Sequence, residues 1–166
     1  LMELVVNCMP SPLEKAPRKG IDPNDGGKTI ERAPDPEAPF SAFVFKTVAD
    51  PYAGRLSIMK IVSGSLGESG NFYNVNKSSR ERYNQLLAIA GKEQKPITEA
   101  GPGEIVAVAK LKETATGNTL CDESSKIKFE CAKALPTLIS FAVGSKVKGE
   151  EDKIYLSLSK LLEEDS

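Results

Sequence analysis

The stretch "FKTVADPYAGRLSIMKIVSGSLGESG", residues 45–70, decides how the chain is read. Together with the preceding "FSAFV" it holds two apolar runs on either side of a break at Asp50-Pro51 and Gly54. In the first run Phe43 and Phe45 fall on one face and Ala42 and Val44 on the other. In the second, Leu56, Ile58 and Lys60 share a face, with Met59 and Ile61 opposite. Period-two alternation rich in β-branched and aromatic residues and bounded by turn residues predicts strands, and the short break predicts an antiparallel hairpin.

Working outward, the same punctuation recurs at Ser63-Gly64, Ser69-Gly70, Gly101-Pro102-Gly103 and Gly117-Asn118. Between these turns lie "NFYNV", "YNQLLAIAG", "EIVAVAKL" and "NTLCD". No helical period interrupts residues 40–129. Short strands at this spacing predict a mainly β fold, a small antiparallel β-barrel, in which closure removes exposed sheet edges. Glycines 54, 64, 70, 103 and 117 are expected to serve turns that need positive φ.

The flanks differ in character. Leu1 to Met9 has a helix-like apolar pattern without an N-cap, stopped by Pro10-Ser11-Pro12, and is expected to be the remnant of a helix. A Gly/Pro/Asp-rich linker then runs to Pro39. After Leu135-Pro136, "TLISFAV" predicts a strand. In "EEDKIYLSLSKLLEED", Ile154, Leu158 and Leu161 predict one helical face, with acids in the first turn where the dipole favours them. One strand and one helix cannot bury their own apolar faces. The expected organisation is therefore 1–39 helix end and linker, 40–132 barrel, and 133–166 the incomplete start of a further α/β domain, all as a segment of a larger protein.

Composition bounds the chemistry. The 166 residues carry 22 basic and 23 acidic side chains, a formal charge of −1, so no general field attracts nucleic acid or an anionic membrane. There is no histidine, which removes the usual acid–base group at neutral pH. Cys8, Cys121 and Cys131 lack metal-ligand spacing and are expected to be reduced packing cysteines in a cytoplasmic protein. The apolar opening has no basic leader and is too short to span a membrane.

Three motifs invite a functional reading. "NDGGKT", Asn24 to Thr29, ends like a phosphate-binding loop, G-x-x-x-x-G-K-[ST]. The first glycine position is Asp22, however, and prolines at 34, 36 and 39 exclude the helix that must follow. A solvated turn in the linker is expected instead. Asn76-Lys77 echoes a guanine-reading N-K-x-D, but position 79 is Ser. "NKSSRER", with Lys77, Arg80 and Arg82, is the densest basic run; it reads as a solvated hairpin or as phosphate contacts to folded RNA. Thr114, Thr116 and Thr119 offer hydroxyls to a ligand, but beside a Gly-Asn turn they are expected to bond the local backbone. A small enzyme using Glu104, Glu113 and Asp122 is the competing reading, without a paired nucleophile or metal spacing behind it.

The residues resemble the second domain of translational GTPases, most closely the elongation factor G family. The resemblance rests on Phe45, Lys46, Asp50, Pro51, Gly54, Leu56, Ser63, Gly64, Leu66 and Gly70 in the first hairpin. It continues at Gly103, Ile105, Ala107, Leu111, Thr114, Thr116, Gly117, Thr119, Leu120, Cys121 and Asp122 in "GPGEIVAVAKLKETATGNTLCD". "CMPSPLEKAPRKGI" and "ERAPDPEAPFSAFVFK" are similar to the family's passage from the last G-domain helix into the barrel, and "PTLISFAVGSKVKGEEDKIYLSLSKLLEED" to the opening of its third domain. Lys60 stands where Arg is common, Asn118 where Asp is common, and Gly144-Ser145 in place of Glu-Pro. A ribosomal-protection protein of the tetracycline-resistance type, or a duplicated elongation-factor-like protein, would share most of these motifs.

The resemblance implies a translation-factor-type barrel without catalytic, cofactor or metal residues of its own. It implies a parent GTPase using GTP and Mg²⁺ in ribosomal translocation, in which the barrel rests on small-subunit rRNA and relays nucleotide state between the G domain and later domains. A monomer in the cytoplasm, with no membrane partner, is expected. The RNA-facing candidates chosen from charge and position are Lys46, Arg55 and Lys60 around the first hairpin, and Lys77, Arg80 and Arg82 on the basic run.

Overall fold

A computed structural model describes residues 2–50, 54–91, 93–132, 137–146 and 149–164. The elements are α1 (Met2–Cys8), β1 (Arg18–Ile21), β2 (Thr29–Arg32), β3 (Ser41–Asp50), β4 (Gly54–Ser63), β5 (Leu66–Gly67) and β6 (Gly70–Asn74). They continue with β7 (Ser79–Tyr83), β8 (Leu86–Ala90), β9 (Glu93–Ile97), β10 (Glu99–Ala100), β11 (Ile105–Ala109), β12 (Thr119–Cys121) and α2 (Glu151–Glu164).

Eight strands form one antiparallel sheet in the order β7-β6-β12-β3-β4-β11-β8-β9, and β5 pairs with β10 in a short separate ladder. Side chains from both ends of this order enter one core. Phe72 and Tyr83 come from β6 and β7, Val44, Met59 and Ile61 from the centre, and Leu86, Val106 and Val108 from β8 and β11. The sheet therefore wraps around its apolar face. Phe72 stacks on Tyr83 with ring centroids 5.3 Å apart. Among the described residues no ladder joins β7 to β9, and both edges are blunted by charge: Arg80, Glu81 and Arg82 on one, Glu93, Lys95 and Pro96 on the other.

The first hairpin forms as the alternation predicts, with two register shifts. Val44 pairs with Met59 and Lys46 with Ile58, so Phe45 is an extra residue. This bulge resets the alternation: Ala42 and Val44 are buried before it and Thr47 after it, leaving Phe45 41% exposed. The turn predicted at Asp50-Pro51 falls on 51–53, outside the described residues. Leu56 and Ile58 pack on the outer face with Leu87, Ile89 and Ala107, a small core of their own.

The linker is more ordered than its composition implies. β1 and β2 pair in register from Arg18↔Arg32 to Ile21↔Thr29, with "NDGGKT" at and beside the tip. Gly26 and Gly27 adopt φ of 56° and 97° there, which the turn requires. This hairpin packs on the barrel's exit segment: Ile21 and Lys128 exchange backbone hydrogen bonds at 2.8 and 2.9 Å, and Gly20 lies where a Cβ would meet Ile127 at 2.6 Å. The entry is fastened too. Gly64 N–H donates to Asp35 O at 2.8 Å, Ser63 Oγ donates to Pro39 O, and Phe40 N–H donates to the Asp122 carboxylate.

Three expectations are corrected. Thr137 to Val143, read as a strand, has no regular structure; Leu138 and Phe141 are exposed, because no described strand lies beside them to pair. Gly70 does not adopt positive φ but opens β6 beneath the Tyr83 ring, where a Cβ would meet Tyr83 Oη at 3.0 Å. Of the cysteines only Cys121 packs, whereas Cys8 and Cys131 are exposed. Helix α2 forms where its period predicts and touches β3, with Glu164 accepting the Ala49 N–H.

Candidate functional site

The loop following β11 carries the residues singled out as a signature, and its chemistry is a buried polar network. Glu81, on the inward side of β7, accepts hydrogen bonds from the N–H groups of Lys112 (2.6 Å) and Glu113 (3.2 Å) and from the Thr114 hydroxyl. Asn74 Nδ2 donates to Thr114 Oγ1 and to Asn118 Oδ1, while Asn74 Oδ1 accepts the N–H groups of Asn76 and Lys77 at the β6–β7 turn. Thr119 Oγ1 accepts from Phe129 N–H, and Thr116 bonds Thr47. These threonines were expected to bond the local backbone. They instead tie the loop to β7, β3 and the exit segment, which nothing in their local sequence signals. Buried polar groups satisfied in this way specify one arrangement, so the network holds the loop and the basic turn in fixed relation.

The six cations chosen from sequence separate into three environments. Lys46 and Lys60 pair across the β3–β4 ladder with Ile58 and Phe43, so both lie on the outer face, exposed. Arg55 belongs to the opposite face: its Nη2 donates to Thr114 O at 2.5 Å, which makes it a brace for the signature loop. Lys77 is exposed in the turn beside Ser78, whose φ is 54°. Arg80 and Arg82 point outward from β7, but Arg80 is bound to Glu123 at 2.5 Å. That contact raises the Arg80 pKa and holds the Glu123 carboxyl below its ordinary range. The outer face of this edge also holds Lys126, whose Nζ lies 4.3 Å from the Tyr73 ring centroid. Sequence reasoning missed Lys126 because its place depends on the exit segment folding back beside β6.

The residues do not fit a bound nucleotide phosphate at "NDGGKT". The N–H of Lys28 bonds Asp25 O, Asn24 N–H bonds the Asp22 carboxylate, and Lys28 Nζ lies 3.8 Å from Asp25. The Asn24 and Lys28 N–H groups are thus engaged within the turn, and two carboxylates, Asp22 and Asp25, stand where phosphate would sit. The carboxylates of the competing enzyme reading also serve backbone: Glu104 accepts Gly101 N–H and Asp122 accepts Phe40 N–H.

With this geometry in hand, residues 39–123 match the family described as Elongation factor G domain 2. The chain belongs to the elongation factor G family. Elongation factor G of Ureaplasma parvum serovar 3 is 39% identical over 165 residues, 99% of this chain and 24% of that protein. Elongation factor G of Dehalococcoides mccartyi strain CBDB1 shows the same identity and coverage. A crystal structure of a Thermus thermophilus protein superposes with a TM-score of 0.72 at 25% identity, covering 99% of this chain and 22% of that one. The chain thus spans about a quarter of the length of the curated elongation factor G relatives it matches. The matched span begins at Pro39, one residue before the barrel's first buried residue, Phe40, and ends at Glu123, the partner of Arg80.

Proposed function

We propose that this chain is a non-catalytic part of a translational GTPase acting in ribosomal translocation, in which the barrel rests on small-subunit rRNA and relays nucleotide state. The organisation proposed is 1–39 as the end of the G domain and its linker, 40–132 as the second domain, and 133–166 as the start of the third. GTP and Mg²⁺ would be held by the parent's G domain, since the phosphate-loop ending found here places Asp22 and Asp25 in its turn, with Lys28 paired to Asp25. A cytoplasmic, monomeric parent follows from the same reading.

The observation that carries the RNA contact is the outward placement of Lys46, Lys60, Lys77 and Arg82. Each is exposed and has no ion-pair partner among the described residues, on a chain whose net charge is only −1. Such cations position a protein on phosphates without reading sequence. Arg55 is set aside as a brace, and Arg80 contributes only if Glu123 releases it. The test replaces Lys77, Arg80 and Arg82 by Ala in the parent protein and measures ribosome association against salt. Three lost phosphate contacts should reduce the slope of log K against log salt by about 2 to 3, with intrinsic GTP affinity unchanged. An unchanged slope would leave the basic run as a solvated hairpin.

A further inference from the structure

A cleft of about 130 Å³ opens where the linker crosses the end of β4. Its walls carry Lys15 and Arg18 from before and within β1, Arg32 from the end of β2, and Lys60 from β4, over an apolar floor that includes Pro34 and Ile61. Among the described residues no carboxylate lines it. Among the described residues, none of the four cations is ion-paired, although five other Lys or Arg residues are. Four cations without an ion-pair partner in one cleft repel each other. That cost is relieved by a bound anion.

Two of the four are held rigidly. The Arg18 guanidinium lies between the Phe43 and Phe129 rings, 4.7 and 4.6 Å from their centroids. Burial lowers its pKa, with no neighbouring anion offsetting the loss of water. Arg32 Nη2 is anchored on the Ser125 carbonyl and hydroxyl, at 2.8 and 2.5 Å, while its Nε is buried without a hydrogen-bond partner. A buried donor left unpaired costs free energy that an acceptor of the right geometry would recover. Lys15 and Lys60 are exposed at the mouth and free to close on a ligand. Fixed guanidiniums with mobile ammonium groups at the rim suit a small, multiply charged, tetrahedral oxyanion.

We propose that the cleft between the linker hairpin and β4 is a binding site for a phosphoryl group. The group can come from an RNA backbone or from a free polyphosphate; the chemistry recognised is the same. This goes beyond the rRNA contact proposed above, with which it shares only Lys60.

The test uses the 166-residue chain at low salt with two probes: inorganic pyrophosphate by titration calorimetry, and a fluorescent RNA hairpin of about 12 nucleotides by anisotropy. The Lys15→Gln/Lys60→Gln pair removes the two rim charges without touching the anchored arginines, and circular dichroism confirms its fold. Lys95→Gln/Lys153→Gln is the control, and Lys77→Ala/Arg82→Ala reports on the outer face. Pyrophosphate is expected to bond one to one and to weaken at least about tenfold in the rim pair, with less than about a twofold change in the control. Loss confined to the RNA probe would support the site with an RNA backbone as the source. Equal weakening by rim and control pairs, or no saturable binding of either probe, overturns the proposal. RNA binding lost only in Lys77→Ala/Arg82→Ala refutes the cleft while sustaining the outer-face contact.

Discussion

Gly64→Ala tests the joint between linker and barrel. Gly64 has φ of 68°, and a Cβ there would lie 2.6 Å from Phe40 Cα and 2.7 Å from both Ala38 O and Phe40 N. All three are backbone atoms, so no rotamer change relieves the contact. The left-handed conformation costs an alanine about 1–2 kcal/mol, and forcing the segment aside adds about 1–3 kcal/mol. Moving it also strains the Gly64–Asp35 and Ser63–Pro39 hydrogen bonds. The expected loss is about 2–5 kcal/mol, a large part of the 5–15 kcal/mol typical of a domain. Gly54→Ala is the matched control: its φ is 76°, but no heavy atom lies within 4 Å of the added Cβ, so only about 1–2 kcal/mol is expected. Urea unfolding followed by far-ultraviolet circular dichroism measures both. With a slope of about 1–3 kcal/mol per molar urea, the two midpoints should differ by about 1 M. Equal losses would show that the linker does not press on β4 at Gly64, and the entry joint described above would be wrong.

Replacing Glu81 by Gln puts an amide donor among the N–H groups of Lys112 and Glu113 and the Thr114 hydroxyl; a loss of about 1–3 kcal/mol is expected in the same urea assay, against almost none for exposed Glu113→Gln. Ellman's reagent at neutral pH should titrate two thiols, Cys8 and Cys131, in the folded chain and a third, Cys121, only on unfolding, because burial raises the Cys121 pKa. Glu123 should titrate below an ordinary glutamate in an NMR pH series, through its hydrogen bond to Arg80, and return to the ordinary value in Arg80→Ala. Since its folded pKa is depressed, any stabilisation from that pair is present above the unfolded pKa and fades as pH falls through the folded one; molar salt should shrink the shift.

The β3–β4 hairpin was legible because its apolar alternation is local. The bulge at Phe45 was not, because an extra residue is defined only by the register against Met59 and Ile58. The β1–β2 hairpin escaped notice for a related reason. "RKGI" and "TIER" are each half charged, and what steadies them is distant in sequence: the Phe43 and Phe129 rings around Arg18, Ile127 against Gly20, and Ser125 beneath Arg32. "TLISFAV" erred the other way. Its strand propensity is high, but propensity without a neighbouring strand leaves the backbone nothing to pair with. Among the candidate cations, Lys46, Lys60, Lys77 and Arg82 were legible as exposed charge. The inward side taken by Arg55 was not legible, because its face is set by the strand's alternation with Ser57, Met59 and Ile61.

The reciprocal hydrogen bonds between Ile21 and Lys128 join the chain just before it enters the barrel to the chain just after it leaves. Mechanically this is a short circuit. A pull transmitted along the polypeptide through residues 21 and 128 loads those two bonds and the Arg18 clamp first, while the sheet between them stays slack. The barrel therefore moves as a bead clipped to the strand, with the Arg32–Ser125 and Phe40–Asp122 bonds in reserve behind the clip, and its core feels tension only after these have given way.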